Sequence, residues 1–335
     1  MGPALPATST AARRISLGLL AVTILVAGCT SASGSTAASG GPSITVAVIP
    51  GTDTAPVMIA AREKVFRNHG LNVTVKTYNS LQAEVQALKN GSVDIAAGDY
   101  ADFLYEDAVG KAPLHLVADG YDATPNVMEV LSRPGSGITT PQQLAHKVVA
   151  TPEAQLIPHG NSVPYSMETL ATQTVLNSDG ITPTDVTWKP MPEKNMIKAL
   201  SSGTVNAILA TEPTIVQAES QLGAVEVMDS CSGPTAGLPL SGYFSLAAYA
   251  SAHRTQLQQF RAALASAQEN ASIGGSLQGM LPHLTGMSSQ DAALVTVGSY
   301  PTSLSVGQVQ RVADLMLDSG VIRNALNVAK LAAAG

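Results

Sequence analysis

One pattern of apolar and polar positions occurs twice in this chain. Residues 87–96 read Ala-Leu-Lys-Asn-Gly-Ser-Val-Asp-Ile-Ala, and residues 199–208 read Ala-Leu-Ser-Ser-Gly-Thr-Val-Asn-Ala-Ile. Each copy follows apolar residues at helical spacing, reaches a glycine that ends the helix, and continues as an apolar run. The pattern therefore predicts a helix, a glycine stop and a buried strand in each of two similar lobes. The position of Asp94, which is Asn206 in the second copy, is interpreted as part of the scaffold.

The segments around the two copies alternate between strand and helix patterns. Residues 44–49 form a β-branched run bounded by Pro50 and Gly51, and residues 71–78 alternate like a second strand. Apolar residues at helical spacing lie between these two strands, and the alternation is typical of an α/β fold. Further strands are predicted over 126–131 and 186–190, residues 114–118 form another apolar run, and further helices are predicted over 167–175, 253–271, Ser288–Val297 and Ser305–Leu317.

The first 43 residues have the pattern of a targeting segment and a linker. Arg13 and Arg14 precede an apolar run, residues 15–28, which is too short for a comfortable membrane span and is typical of a signal peptide. The run ends in Leu-Val-Ala-Gly-Cys, which resembles a bacterial lipobox with Cys29 as the lipidated residue. We therefore expect a signal peptide over 1–28 and a flexible linker over 29–43; the paired arginines leave both general and twin-arginine export open.

Composition excludes several classes of function. The net charge is −6 and only 13% of the residues are charged, so the clustered basic face of a nucleic-acid-binding protein is not expected. The chain has two cysteines, and lipidation of Cys29 would leave Cys231 without a disulfide partner. Cys231 is interpreted as a small core or loop residue.

The sequence contains no recognisable catalytic or metal-binding motif. None of its six histidines is paired at metal-ligand spacing, and no nucleophile elbow or glycine-rich phosphate loop occurs. We therefore expect no catalytic activity, no cofactor and no metal site.

An ordered set of short motifs resembles one family of binding proteins. Residues 56–75 and 87–96, then 138–150, 199–213 and 308–324, are similar to the nitrate/sulfonate/taurine-type substrate-binding proteins of ABC importers, a group that includes binders of thiamin-pyrimidine precursors. The chain departs from the family pattern at Ala145-His146, where glycine is usual, and at Thr211, where an aromatic residue is common.

The resemblance implies a type II periplasmic-binding-protein-like fold, with two lobes joined by a hinge and a mixed sheet flanked by helices in each. Lobe 1 is expected to comprise residues 44–127 and 234–335, and lobe 2 residues 128–233. The implied protein is an extracytoplasmic, lipid-anchored monomer that captures a small polar organic molecule by hinge closure. Its implied partners are an ABC permease, an ATPase subunit and the membrane, which it contacts through the lipid on Cys29.

Candidate ligand-binding residues follow predicted strands or precede predicted helices, where open α/β sheets bind their ligands. Five of them have ordinary structural alternatives, because Asp53 and Asp99 could cap helices, Tyr100 could pack in the core, and His159 and Glu212 could be solvated. The candidates are Thr52, Asp53, Gly98, Asp99, Tyr100, His159, Asn161, Ser162, Tyr165, Thr211 and Glu212.

The charge of these candidates points to a class of ligand. Asp53, Asp99 and Glu212 are acidic, and none of the candidate loops carries lysine or arginine for gripping an anion. The hypothesis is that the ligand carries an amine, an amidine or a ring N–H, as an aminopyrimidine or amino-sulfonate does. Two other functions stay open at this point: an enzyme on the same fold acting on a pyrimidine precursor, and a ligand-sensing module.

Overall fold

The computed structural model describes residues 41–110, 112–152, 155–156, 164–273 and 276–333, together with Gly2. The expected signal peptide, Cys29 and the candidates His159, Asn161 and Ser162 lie outside the described residues. Within the described part of the chain, no helix has the length and apolar character that a membrane crossing requires.

Strands and helices alternate along the chain. The strands are β1 (Ser43–Val48), β2 (Asn72–Thr77), β3 (Ile95–Asp99), β4 (Leu114–Asp122), β5 (Met128–Ser132), β6 (Val148–Thr151), β7 (Gln155–Leu156), β8 (Pro164–Tyr165), β9 (Thr187–Pro190), β10 (Ala207–Thr211), β11 (Val225–Asp229) and β12 (Pro239–Leu246). The helices are α1 (Ala55–Arg62), α2 (Val65–Asn68), α3 (Leu81–Lys89), α4 (Tyr100–Ala108), α5 (Met167–Ser178), α6 (Glu193–Ser202), α7 (Thr214–Leu222), α8 (Ala247–Ala252), α9 (Arg254–Ser272), α10 (Ser276–Thr285), α11 (Ser289–Ala292), α12 (Val306–Asp318) and α13 (Val328–Ala333).

Two five-stranded mixed sheets organise these elements. Sheet 1 has the order β2-β1-β3-β12-β4, in which β1 runs parallel to β2 and β3 while β12 runs antiparallel to β3 and β4. Sheet 2 has the order β11-β5-β10-β6-β9, in which β6 runs parallel to β9 and β10 while β5 runs antiparallel to β10 and β11. The α/β class and the two-lobed architecture with mixed, helix-flanked sheets are therefore confirmed.

The twice-used pattern occupies equivalent places in the two sheets. β3 and β10 are each the central strand, paired with one parallel and one antiparallel neighbour. The glycine after each preceding helix adopts the left-handed conformation, with φ +72° at Gly91 and +75° at Gly203. A side chain would be strained there, so glycine is favoured at both helix ends.

Asp94 and Asn206 make the same hydrogen bonds in the two sheets. Asp94 Oδ2 accepts from the Thr45 amide at 2.7 Å, and the Asp94 amide donates to the Thr45 carbonyl. Asn206 Oδ1 accepts from the Val148 amide at 2.9 Å, and the Asn206 amide donates to the Val148 carbonyl. Each side chain thus joins the central strand to its parallel neighbour, as the scaffold interpretation requires.

Replacing either residue by alanine should reduce stability without changing ligand affinity. Asp94→Ala and Asn206→Ala each remove one backbone-to-side-chain hydrogen bond, so each should lower the free energy of unfolding by about 1 kcal/mol. Urea denaturation measures that change. A loss of affinity in either variant at unchanged stability would contradict the scaffold role.

Two parts of the fold differ from the sequence prediction. The helix predicted over Ser288–Val297 ends at Ala292; residues 293–294 form a turn, and Ser299 then pairs with Asp122. The sequence prediction includes neither β11 nor β12. β12 was missed because Pro239, Ser241 and Gly242 interrupt its apolar pattern, although the strand is almost entirely buried.

Candidate functional site

A cavity of about 440 Å³ lies between the two sheets, at the ends of their strands. Sheet 1 contributes residues at the ends of β1, β3, β4 and β12, and sheet 2 contributes the start of β5 and the end of β10. Helices α5 and α6, which pack against sheet 2, begin at the cavity. The lining residues are Ile49, Pro50, Gly51, Thr52, Asp53, Leu81, Ala97, Gly98, Asp99, Asp102, Tyr121, Val127, Met128, Met167, Glu168, Glu193, Thr211, Glu212, Pro213, Leu240, Ser241 and Thr285.

The cavity brings together most of the described candidate residues. The six that line it are Thr52, Asp53, Gly98, Asp99, Thr211 and Glu212. Asp99 and Glu212 therefore border one cavity from different sheets.

Two candidate tyrosines lie outside this cavity. Tyr100 is fully buried, its hydroxyl donates to Asp119, and its ring packs edge-on against Phe244. Tyr165 is also buried, with its ring centroid 5.0 Å from that of Tyr105. The structure thus gives both residues packing positions.

Glu212 has structural partners as well as a place in the lining. Its Oε2 accepts from the Val216 amide at 3.2 Å, which satisfies the first turn of α7, and its Oε1 accepts from the Thr296 amide at 3.0 Å. Burial raises the pKa of Glu212, whereas these two hydrogen bonds lower it. Glu212 therefore joins the end of β10 to the segment after α11, and its carboxylate is already occupied in part.

Sequence reasoning missed three acidic residues of the lining. Asp102 lies in the first turn of α4, Glu168 in the first turn of α5, and Glu193 at the first position of α6. All three occupy helix starts that follow strand-end loops. An acidic residue within the first helical turn after such a loop was the signal that could have found them.

These carboxylates lie at the positive ends of helix dipoles. A free helix N-terminus attracts anions, and it would serve an anionic ligand directly. Here acidic side chains occupy the N-terminal turns of α4, α5 and α6, so the helix ends facing the cavity are neutralised by the protein itself. The arrangement disfavours an anion.

No lysine, arginine or histidine lines the cavity in the described part of the chain. The one ion pair among the described residues joins Lys89 to Glu106 at 3.3 Å, and neither residue lines the cavity. Burial raises the pKa of Asp53 to about 6, although the Ser241 hydroxyl and the Thr54 amide lower it. The cavity is therefore strongly acidic.

Asp99 and Asp102 are buried carboxyl groups at the cavity. Burial raises the pKa of both carboxyl groups well above the usual range, and the charge of Glu168 is the next largest cause for each. Glu168 lies on the other side of the cavity, so its influence on the pKa of Asp99 and of Asp102 means that carboxylates from the two sides interact electrostatically. Such a cluster retains protons when the cavity is empty.

Apolar side chains and a buried tyrosine complete the wall of the cavity. Leu81, Val127, Met128, Met167 and Leu240 supply apolar contacts, which suit a carbon skeleton. Tyr121 is buried at the wall, and its hydroxyl accepts from the Gly298 amide at 2.5 Å.

Catalytic chemistry finds no support in this lining. Within the described ranges, no cluster of three or more histidine, cysteine, aspartate or glutamate side chains is arranged to hold a metal ion. Cys231 is buried outside the cavity, and burial raises the pKa of its thiol, which makes it a poor nucleophile.

Comparison with known proteins places the fold. The profile of the NMT1-like family matches residues 37–272. Among curated proteins, none matches the sequence.

Three solved structures share the fold at low identity. The periplasmic aliphatic sulphonate binding protein SsuA from Escherichia coli is 17% identical, with 87% of this chain and 97% of that chain covered and a TM-score of 0.69. The periplasmic nitrate-binding protein NrtA from Synechocystis PCC 6803 is 12% identical, with 86% of this chain and 84% of that chain covered and a TM-score of 0.66. The desulfurization enzyme DSZB is 13% identical, with 87% of this chain and 96% of that chain covered and a TM-score of 0.64. At these identities the likeness shows the fold, and function must be argued from the cavity.

Proposed function

The chain belongs to the NMT1-like family, and from this premise we propose that it is the extracytoplasmic solute-binding component of an ABC importer. The observation that carries the proposal is the single cavity lined from both sheets at their strand ends. Two of the structures with this fold are periplasmic binding proteins, for a sulphonate and for nitrate. In our proposal the ligand is a small polar organic molecule that contacts both lobes.

The chain path supplies a hinge for such a mechanism. Among the described residues, the chain passes from sheet 1 to sheet 2 between β4 and β5 and returns between β11 and β12. The two passages are joined where the Ala123 amide donates to the Leu238 carbonyl at 2.9 Å. A ligand that contacts both lobes would stabilise the closed form, and the permease would recognise that form.

The amino-terminal pattern extends the proposal to the membrane. A lipid on Cys29, followed by the linker to residue 43, would hold a monomeric binding domain beside its permease and ATPase partners. Release of a Cys29→Ser variant from the membrane fraction is the test of this anchor.

The lining does not favour an enzyme on this fold. In the described part of the cavity no histidine, lysine or cysteine is present to activate a nucleophile or to act as one. A ligand-sensing module, the other alternative, would have the same cavity, and no residue contact favours sensing over transport.

A thermal-shift screen tests the binding function. A compound that binds only the folded protein raises its melting temperature, by an amount that grows with concentration. We expect such a rise with at least one compound from a panel of amines, amidines, aminopyrimidines, amino-sulfonates, alkanesulfonates and nitrate.

A variant with a blocked cavity is the control for that screen. Gly98→Leu introduces a bulky side chain at a lining residue, where a Cβ alone would be 3.0 Å from Phe103 Cε2, so neighbouring side chains must move and a cooperative melting transition must first show that the variant folds. The variant should lose the rise. Equal shifts in both proteins, or no shift with any compound, would contradict a binding function for this cavity.

A further inference from the structure

Two acidic faces oppose one another across the cavity. Asp53, Asp99 and Asp102 come from loops and helices of sheet 1, whereas Glu168 and Glu193 begin helices that pack against sheet 2. Burial is the largest cause of the raised pKa of Asp99 and of Asp102, and the charge of Glu168, on the other face, is the next largest.

Helix capping does not account for these carboxylates. The Asp99 side chain makes no capping hydrogen bond to α4, although it occupies the N-cap position. Helix α5 is capped by Ser166, whose hydroxyl accepts from the Thr169 amide, so Glu168 is not needed there. Helix α6 begins after Pro192, and among the described residues Glu193 has no side-chain hydrogen bond or ion pair.

Glu84 adds a further carboxyl group under the cavity floor. Glu84 is fully buried; its Oε1 accepts from the Ala97 amide at 3.1 Å, and its Oε2 has no hydrogen-bond partner among the described residues. Oε2 is 3.5 Å from the point that a Cβ on Gly98 would occupy, and Leu81 Cδ1 is 3.7 Å from that point. Gly98 and Leu81 both line the cavity, so the unpartnered oxygen faces the floor between them.

We propose that the ligand of this cavity is a small organic cation, and that its positive charge is what allows the two acidic faces to come together. The inference rests on the proposed binding function and specifies its ligand class. An ammonium, amidinium or guanidinium group placed between the faces donates to carboxylates of both, which exchanges repulsion for charge-assisted hydrogen bonds. A neutral molecule of the same shape leaves the repulsion in place.

The composition of the cavity favours an organic cation over a metal ion. A space of about 440 Å³ with an apolar wall fits a carbon skeleton of several atoms, whereas a metal ion needs a compact set of ligands. The described residues contain no such set.

Cation binding should depend on pH in a defined direction. The groups lining the cavity are the carboxyls of Asp53 before α1, Asp99 at the end of β3, Asp102 of α4, Glu168 of α5, Glu193 of α6 and Glu212 after β10, together with the phenol of Tyr121, and Glu84 of α3 lies beneath the floor. Cations bind the ionised carboxylates, so binding releases the protons that the empty cluster retains. Affinity should therefore rise as the pH is raised from about 5 to 8, while an aliphatic amine stays charged.

Calorimetry with a matched trio of compounds tests the proposal. The probes are 1,4-diaminobutane, 1,4-butanediol and succinate, which share a four-carbon chain and carry two positive charges, none and two negative charges. Methylguanidine, benzamidine and choline are added as further organic cations. Magnesium, calcium and zinc salts are tested separately as metal ions. We expect at least one organic cation to bind, at least about tenfold more tightly than butanediol, with proton release seen as buffer-dependent heat.

The outcomes separate this inference from the proposed function. Binding by succinate, butanediol or an alkanesulfonate together with no binding by any organic cation would overturn the cation class while leaving the binding function intact. Binding by a metal ion alone would also overturn the cation class. Failure of every organic cation to produce a binding heat in calorimetry would overturn it too. A neutral result for every compound in the thermal-shift panel would instead count against the binding function itself.

Discussion

Replacing Asp99 by Asn and Glu168 by Gln in one protein will weaken binding of an organic cation by about a hundredfold or more. Each substitution removes one carboxylate from the cavity, one from each acidic face. A hydrogen bond to a charged group contributes about 1.5–3 kcal/mol, so the loss of two corresponds to at least about 3 kcal/mol, or roughly a hundredfold in affinity. Calorimetry with the tightest cation of the panel measures the change.

The controls for this double variant separate charge from folding. Asp318→Asn neutralises an exposed carboxylate outside the cavity and should leave affinity unchanged. The double variant should be at least as stable as the wild type at pH 8, because neither carboxylate has a hydrogen-bond partner among the described residues to lose and the cost of ionising the buried Asp99 carboxyl group is removed. Wild-type affinity in the folded double variant would remove Asp99 and Glu168 from the site.

Replacing Glu84 by Gln will change how stability depends on pH. Burial raises the pKa of Glu84 to about 8, with the charges of Asp53 and Asp102 as further causes. The folded protein therefore binds a proton that the unfolded chain, with an ordinary value of 4.5, has already lost. The contribution of Glu84 to stability is complete below about pH 4.5, and it is lost as the pH rises to about 8.

The size of this effect is several kcal/mol. One pKa unit corresponds to about 1.4 kcal/mol, and the shift of Glu84 spans more than one unit. Glu84→Gln stays neutral and can still accept the Ala97 amide, so the variant should be more stable than the wild type at pH 8 and similar at pH 4.5. Urea denaturation across this range measures both curves. The control is Glu63→Gln, because Glu63 is exposed. If the unfolding free energy of Glu84→Gln and of the wild type changed with pH in the same way, ionisation of Glu84 would cost the folded protein little, which would contradict the prediction.

The repeated pattern allowed the framework of the fold to be predicted. Apolar spacing, a left-handed glycine and a short buried strand are local features, so the positions of Gly91 and Gly203 and the roles of β3 and β10 followed from them. Local features also located the strand ends, and six candidate residues line the cavity because open sheets bind ligands at those ends.

The roles of individual side chains depended on long-range contacts that no local pattern contains. Tyr100 follows the same strand end as Asp99, yet its side chain is directed to the core and its hydroxyl reaches Asp119. Glu212 has a partner at Thr296, far along the chain. Glu84 resembled any polar residue on an amphipathic helix, and only the packing of α3 against β3 places its oxygen beneath Gly98.

The distance between the lobes in solution tests the central claim most directly. Spin labels at Arg67→Cys, on the exposed side of α2, and at Ser202→Cys, at the exposed end of α6, report on the two sheets in a protein whose Cys29 is replaced by Ser. We predict a long distance in the empty protein at pH 8, a shorter one with the binding cation, and no shortening with butanediol or succinate. A distance unchanged by every ligand, or shortened equally by succinate, would contradict the account.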